Sequence, residues 1–217
     1  MEQEILKEWQ KKSIDFIFAN EQLSDFYLTG GTALSGYYLR HRVSDDLDFF
    51  SFSDFDTMFL HDVAESLKEI MSAKSVRFSK LYDRNQFFYT VNEEENKIEF
   101  TKYPFKQLQE VNNFNGASVD SEYDIAVNKL MTIVDRFDPK DFVDLFFLLQ
   151  KYDLMKLKEG AQSKFGHRLD PLTIGSSFSK VRKIEALPKM IKSLTVEELK
   201  VFFNNESKKL SPDIMSN

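Results

Sequence analysis

The sequence predicts an α+β protein in which a mixed β-sheet flanked by helices is followed by a helical C-terminal region. Two observations support this fold class. Up to residue 102, short runs rich in Val, Phe, Tyr and Ile alternate with helical patterns. Beyond the turn-rich run 112–116, the apolar residues repeat only with the helical period. We therefore expect a core over residues 1–115 and a helical region over 116–217, closely packed on that core.

The elements of the front part follow from their periodicity and from the residues that punctuate them. Apolar residues at helical spacing predict helices, and short aromatic or β-branched runs predict strands. The predicted helices are 3–19, 32–40 and 55–72, and the predicted strands are 26–28, 47–50, 75–81, 86–91 and 97–102.

Helix start and stop signals divide the rear part. The run 112–116 reads Asn-Asn-Phe-Asn-Gly and predicts a turn or loop. Asp138 and Pro139 supply an N-cap and a first-turn proline for a helix over 139–151. The last helix begins at Thr195, with Glu198 at capping-box spacing. Between them we expect helices separated by Gly166, Pro171, Gly175 and Pro188.

The bulk composition is that of a globular protein without disulfides. Of its residues, 42% are hydrophobic and 29% are charged, which is enough of each to form a packed interior and a solvated surface. No run approaches the roughly eighteen apolar residues of a membrane-spanning helix. The absence of Cys excludes disulfides and thiolate metal sites. We expect a cytoplasmic protein that does not bind membranes.

The charge is unevenly distributed along the chain. A net charge of −6 argues against a protein that coats nucleic acid by bulk attraction. Residues 151–192 nevertheless carry ten Lys or Arg against four Asp or Glu. This basic stretch is either a surface that meets an anionic partner or a Lys-rich solvated helical surface.

The first candidate for chemistry is the pair Asp46 and Asp48, in the predicted strand around 47–50. Side chains two residues apart in a strand leave the same face, so both carboxylates can converge. Two like charges at that distance repel unless a cation lies between them, and Mg²⁺ prefers carboxylate oxygens together with substrate phosphates. An Asp-x-Asp alone is weak evidence, because on a loop edge it is usually solvated acid.

Gly30, Gly31 and Thr32 form the second candidate, at the junction of a predicted strand and a predicted helix. Glycines let the backbone approach a phosphate closely, and the N–H groups at a helix start favour an anion. The Thr32 hydroxyl could bond to that anion or cap the helix. Alternatively, the two glycines only make a tight turn.

A third carboxylate, Glu99, is flanked by apolar residues in the predicted strand 97–102. With Asp46 and Asp48 it could complete a site for two metal ions. The alternative is a solvent-facing position on an ordinary alternating strand.

These motifs together resemble the AbiEii/AbiGii-type nucleotidyltransferase toxin family, a branch of the DNA polymerase β-like nucleotidyltransferase superfamily. The resemblance is carried by Thr-Gly-Gly-Thr-Ala-Leu at 29–34, His-Arg-Val-Ser-Asp-Asp-Leu-Asp-Phe-Phe at 41–50, Asp-Ile-Ala-Val-Asn-Lys-Leu at 124–130 and Arg-Phe-Asp-Pro-Lys-Asp-Phe-Val-Asp-Leu at 136–145. It implies that residues 1–115 form a nucleotidyltransferase core.

The resemblance also implies roles for particular residues. Nucleotide phosphates would be held by Gly30, Gly31 and Thr32, and Mg²⁺ by Asp46 and Asp48. The helical Lys of the family corresponds to Lys129, which would meet the triphosphate, although it could instead be a lysine that snorkels at a helix edge. The later acids correspond to Asp141 and Asp144, in nucleotide binding and catalysis respectively. Either acid could instead only pair with neighbouring basic residues.

The function implied is Mg²⁺-dependent transfer of a nucleotidyl group from a nucleoside triphosphate to an acceptor. The family further implies the toxin of a bacterial toxin–antitoxin (abortive infection) system, with a cognate antitoxin as partner. The basic stretch suits tRNA as the acceptor. The alternatives are transfer to a protein or small molecule, and a non-catalytic nucleotide-binding regulatory protein that keeps the fold.

Overall fold

The computed structural model of the protein describes residues 5–210, and within them seven strands form one mixed sheet. The strands are β1 Phe26–Thr29, β2 Leu47–Ser51, β3 Ser75–Leu81, β4 Arg84–Val91, β5 Glu94–Lys102, β6 Asn112–Phe114 and β7 Ala117–Val119. Their order across the sheet is β3-β4-β5-β2-β1-β7-β6. The predicted mixed sheet is therefore confirmed, and β2 lies at its centre.

The pairing of β2 determines which side chains meet at that centre. β2 runs antiparallel to β1 and parallel to β5. In this register Asp48 lies opposite Thr29 on one side and opposite Glu99 on the other. A polar row thus crosses three adjacent strands.

The opposite face of the same strands is apolar. Phe49 and Phe100 are fully buried and stack with their ring centroids 5.5 Å apart. Leu47 and Ile98, on the same strands, are also inaccessible to solvent. Because neighbouring residues of a strand point to opposite faces, this burial fixes Asp48 and Glu99 on the polar face. The core therefore orients the candidate site.

The helices that accompany the sheet are α1 Glu8–Ala19, α2 Gly30–Ala33 and α3 Thr57–Ile70. Apolar residues of α3 such as Leu60 and Leu67 are fully buried, and Phe18 of α1 makes an edge contact with Phe49. The predicted helix 3–19 begins later, at Glu8, and residues 3 and 4 lie outside the described residues. The predicted helix 32–40 is instead the short α2 followed by a π-helical segment, Leu34–Leu39.

The run 112–116, predicted as a turn or loop, is in fact the tip and first strand of a hairpin. β6 and β7 pair antiparallel on either side of Asn115 and Gly116. Both turn residues have positive φ, +52° and +95°, the conformation that Asn and Gly tolerate best. The Asn-Gly signal was correctly identified as a turn, but three-residue strands are too short for a clear period.

Residues beyond the hairpin form α4 Glu122–Asp135, α5 Pro139–Leu148, α6 Leu154–Phe165, α7 Pro171–Ser179 and α8 Val196–Lys209. The predicted cap at Asp138 and the capping box at Thr195 and Glu198 are present. Gly166 ends α6 with φ +70°, as a C-terminal glycine should. Gly175, predicted to separate two helices, lies inside α7.

The chain divides into two compact units. The first contains the sheet and comprises residues up to Tyr38, Ser44–Lys106 and Glu110–Ser121. The second contains α4 to α8 and comprises Leu39–Val43, Gln107–Gln109 and the residues from Glu122 onward. The β6–β7 hairpin thus belongs to the sheet unit. Among the described helices, none is both long and apolar enough to cross a membrane.

Candidate active site

The polar face of the central strands brings Asp46 and Asp48 together. The Lys97 ammonium lies 3.6 Å from Asp46 Oδ2 and 3.3 Å from Asp48 Oδ1, so one group contacts both carboxylates. Asp46 retains 46% of its side-chain exposure and Asp48 retains 22%. The expected convergence of the two side chains is observed, and solvent reaches both of them.

Gly30 and Thr32 connect the glycine loop to these carboxylates. Gly30 has φ +74°, and a Cβ placed on it would lie 2.6 Å from Asp48 Oδ2. The Thr32 hydroxyl donates to the backbone carbonyl of Asp46 and is itself buried. It therefore fixes the Asp-x-Asp segment beside the loop, a contact that the sequence did not predict. Gly31 lies in α2 directly after Gly30.

Glu99 lies on the same face, and its carboxylate accepts five hydrogen bonds. Arg84 donates twice, from Nε at 2.5 Å and Nη2 at 2.8 Å. Gln86 and Thr101 each donate at 2.9 Å, and Lys97 donates at 3.2 Å. The Glu99 side chain is only 2% exposed. Its oxygens are therefore occupied by protein donors.

Burial and charge shift the pKa values of these groups in different directions. Burial alone would raise the pKa of Glu99, but the Arg84 hydrogen bonds and the Lys97 charge lower it to about 2. Burial raises the pKa of Asp48; the Lys97 charge opposes this, whereas the charges of Glu99 and Asp46 add to it. The pKa of Lys97 is raised despite its burial, because Asp48, Glu99 and Asp46 surround it. Lys97 therefore remains an ammonium ion.

The donor set supports a metal role for two of the three predicted ligands. Within residues 5–210, no three acidic or histidine side chains are arranged as a ready metal site. Glu99 does not extend the Asp pair to such a site, because its lone pairs are committed to Arg84, Gln86, Thr101 and Lys97. Asp46 and Asp48 are accessible and converge, as the carboxylates of a hard divalent cation should.

The second unit holds the other predicted residues in one buried ion cluster. Lys129 Nζ lies 2.8 Å from Asp141 Oδ1 and 2.6 Å from Asp144 Oδ2. Asp141 also accepts from Arg136 Nε at 2.9 Å. Arg42 binds Asp144 through two nitrogens, at 2.6 and 2.8 Å. Asp144 is fully buried, whereas the Lys129 side chain keeps 10% exposure.

His41 completes this cluster, and its contacts indicate the protonation state of its ring. His41 Nε2 lies 2.7 Å from Asp144 Oδ1, and its Nδ1 is buried without a hydrogen-bond partner among the described residues. Burial and the charges of Arg42 and Lys129 lower the pKa of His41, and together they outweigh the hydrogen bond and charge of Asp144, which raise it. A neutral ring that donates through Nε2 fits both facts. The pKa of Asp144 lies well below its usual value, because Lys129 and Arg42 outweigh its burial.

Lys97, Arg84 and Gln86 are site residues that the sequence did not indicate. Lys97 could have been found, since it lies two residues before Glu99 and so shares its face. Arg84 and Gln86 reach Glu99 only because Gln86 pairs with Glu99 across β4 and β5. That register is a feature of the tertiary structure, so the sequence alone does not indicate these two contacts.

Comparison with known families gives a match over most of the chain. Residues 15–213 match the family model described as nucleotidyl transferase AbiEii toxin, type IV toxin–antitoxin system. An uncharacterised protein of Aquifex aeolicus is 33% identical over 168 residues, which cover 74% of this chain and 76% of that protein.

Solved structures resemble the fold along nearly the whole chain. A Helicobacter pylori protein assigned as a nucleotidyltransferase has a TM-score of 0.60 and 23% identity, with 95% of this chain and 98% of that chain covered. The nucleotidyltransferase toxin MenT4 of Mycobacterium tuberculosis has a TM-score of 0.50 and 13% identity, with 94% and 84% covered.

Proposed function

Because the chain belongs to the AbiEii nucleotidyltransferase toxin family, we propose that it transfers a nucleotidyl group from a nucleoside triphosphate in an Mg²⁺-dependent reaction. Family membership makes the protein a nucleotidyltransferase with a triphosphate substrate and a cognate antitoxin. The observation that carries the metal proposal is the convergence of Asp46 and Asp48 beside Gly30.

The proposed reaction joins an acceptor hydroxyl oxygen to the α-phosphorus of the triphosphate, and the hydroxyl proton is released to the solvent. The bond from that phosphorus to the β-phosphate bridging oxygen breaks, and pyrophosphate leaves with the electron pair. When bound, Mg²⁺ would neutralise charge on the phosphate oxygens. Asp46 and Asp48 would bind the ion, and the Thr32 bond to the Asp46 carbonyl would keep their segment in place.

The glycine loop is proposed to receive the phosphates. Gly30 adopts a conformation that L side chains rarely adopt, and it lies against Asp48, so a substrate there would be close to both backbone and carboxylate. Lys129 is proposed to meet the triphosphate as a cation. Asp141 and Asp144 are proposed to hold Lys129 in position, since both bind its ammonium group.

The acceptor we propose is tRNA. The support is the basic stretch 151–192, in which exposed residues include Arg182, Lys183, Lys189 and Lys192. Transfer to a protein or small molecule is the alternative within the same chemistry. Action in abortive infection and a cytoplasmic location stay predictions.

A non-catalytic regulatory protein of the same fold is the rival from another class. It would not need two accessible carboxylates that converge beside a glycine loop, and both are present. A catalytic role therefore accounts for more of the structure.

One labelling experiment tests the proposed function. The purified protein is incubated with each α-³²P-labelled nucleoside triphosphate, Mg²⁺, and either total tRNA or total soluble protein. Label transferred to tRNA, dependent on Mg²⁺ and absent with Asp48→Asn, is the expected result. Label found only in the protein pool would show that the acceptor is a protein instead of tRNA. Label in neither pool would contradict nucleotidyl transfer to macromolecules.

A further inference from the structure

Lys97 occupies the centre of the three-carboxylate group. Its ammonium nitrogen lies 3.2 Å from Glu99 Oε2, 3.3 Å from Asp48 Oδ1 and 3.6 Å from Asp46 Oδ2. The side chain is 16% exposed, so most of its charge is balanced by these three acids instead of by water. A cation that neutralises the group is thus part of the chain itself.

Glu99 anchors this cation on one side. It lies opposite Asp48 in the β2–β5 pairing and two residues from Lys97 on the same strand. Arg84, Gln86 and Thr101 fix its carboxylate, so Glu99 cannot turn towards another ion without losing several hydrogen bonds. Glu99 therefore fixes the Lys97 ammonium group on one side, and on the other side this group contacts the accessible carboxylates of Asp46 and Asp48.

We propose that the Lys97 ammonium competes with a divalent cation for Asp46 and Asp48, and that Glu99 positions Lys97 instead of binding the metal. Lys97 is then a competitor within the chain that lowers the metal affinity of the free protein, and Glu99 is the positioning residue. The inference rests on the proposed role of Asp46 and Asp48 as metal ligands. Its consequence is that metal binds weakly until a triphosphate supplies further oxygen ligands.

The competition is electrostatic and can be measured without turnover. Lys97→Met removes the positive charge and keeps a side chain of similar length. Two unit charges about 4 Å apart near a protein surface interact strongly enough to change an affinity by roughly tenfold or more. We expect Mn²⁺ to bind nucleotide-free Lys97→Met at least about tenfold more tightly than wild type. Free Mn²⁺ is followed by electron paramagnetic resonance at constant pH and ionic strength.

Two further variants separate the competing explanations. Lys102→Met makes the same change of net charge on the same strand, where Lys102 pairs with the exposed Asp54, and should leave Mn²⁺ affinity at the wild-type value. The double variant Lys97→Met/Glu99→Gln restores the net charge and relieves the repulsion between Asp48 and Glu99, so it is also the variant to use if Lys97→Met does not fold. It should still bind Mn²⁺ more tightly than wild type, because Glu99 is not a ligand.

The outcomes distinguish this inference from the proposed function. Equal or weaker Mn²⁺ binding by the folded Lys97 variants, together with lost binding in Asp48→Asn, would overturn the inference and leave the metal site intact. Loss of Mn²⁺ binding in the double variant alone would restore Glu99 as a ligand and overturn its positioning role. Wild-type binding by Asp48→Asn would contradict the proposed metal site, and this inference with it.

Discussion

Gly30 lies directly against Asp48, and the space between them does not admit a methyl group. A Cβ at Gly30 would be 2.6 Å from Asp48 Oδ2 and 3.4 Å from its Cγ. Real Cβ atoms do not come that close to an oxygen, so either the loop or the carboxylate would have to move. The glycine loop and the Asp pair are therefore coupled by direct contact.

Gly30→Ala should consequently impair transfer more than stability. The positive φ adds about 1 kcal/mol of backbone strain, and the added methyl group displaces Asp48. Gly116→Ala is the matched control, because Gly116 also has positive φ but, apart from its two chain neighbours, no atom of residues 5–210 lies within 4 Å of the place that its added methyl group would occupy. Thermal unfolding should show similar losses for both variants, and transfer rates should fall only for Gly30→Ala. Equal activities would argue that the loop does not constrain Asp48.

Asp48→Asn should abolish Mg²⁺-dependent transfer while the fold is kept. A metal ion contributes several kcal/mol of transition-state stabilisation, and about 1.4 kcal/mol corresponds to a tenfold rate change. We therefore expect the rate to fall by roughly a hundredfold or more. Asp45→Asn is the control: Asp45 lies in the same segment, but its side chain is half exposed and pairs with Lys7 at 2.8 Å. A fully active Asp48→Asn would refute the metal proposal.

The sequence predicted on which face of its strand a site residue lies better than it predicted which residues that side chain contacts. The i, i+2 spacing of Asp46 and Asp48 fixes a common side, and the structure shows both carboxylates within reach of one ammonium group. The partners of Glu99 come from β4, through a register that no local pattern encodes. The role of Thr32 was missed for the same reason, since its bond to Asp46 crosses fourteen residues of chain.

The fold was predictable where amphipathic patterns are long. β3, β4 and β5 were expected within three residues of their observed bounds. β6 and β7 were not expected, because a strand of three residues is too short to show an alternation of apolar and polar residues. The π-helical segment after α2 was also not expected, since its hydrophobic pattern resembles that of an ordinary helix.

Lys129→Met tests whether this lysine serves nucleotide binding or only stability. Lys164→Met is the matched control, because Lys164 also pairs with a buried carboxylate, that of Asp124 at 2.7 Å. Both variants should lose stability, by up to about 3–5 kcal/mol, since each leaves a buried acid without its ammonium partner. Only Lys129→Met should weaken triphosphate binding, by about tenfold, as expected when a charged hydrogen bond is removed. Calorimetric titration with Mg²⁺ and triphosphate below the unfolding temperature measures this. Equal triphosphate affinities would assign Lys129 a structural role.

The basic stretch can be tested by the salt dependence of tRNA binding. Neutralising its exposed cations should lower the slope of log K against log salt by roughly 0.7 to 0.9 for each phosphate that the variant no longer binds. Triphosphate affinity should stay unchanged. The residues to change are Arg182, Lys183, Lys189 and Lys192, and the control replaces four exposed cations of the sheet unit, Lys12, Lys74, Arg77 and Lys80. If both fourfold variants bind tRNA like the wild type, the stretch is a solvated surface.

His41 makes the stability of the protein depend on pH below about 6.5. Burial lowers its pKa in the folded state below the ordinary value of 6.5. Below that pH the unfolded chain takes up a proton that the native ring does not, so the free energy of unfolding falls. The slope is at most about 1.4 kcal/mol per pH unit for one group. The lowered pKa values of Asp141 and Asp144 affect stability only at more acidic pH, because unfolded Asp titrates near 3.8.

Replacing His41 by Asn should remove the part of that slope that begins as the pH falls below about 6.5. Asn does not titrate and carries an N–H group that can donate to Asp144. The absolute stability of the His41→Asn variant will differ from that of the wild type. The comparison is therefore between the slopes of unfolding free energy against pH. Urea unfolding at a series of pH values gives both slopes, and His167→Asn is the control because His167 is exposed. A wild-type slope in His41→Asn would show that the buried ring takes up its proton in the folded state, with Nδ1 finding a partner that the described residues do not give it.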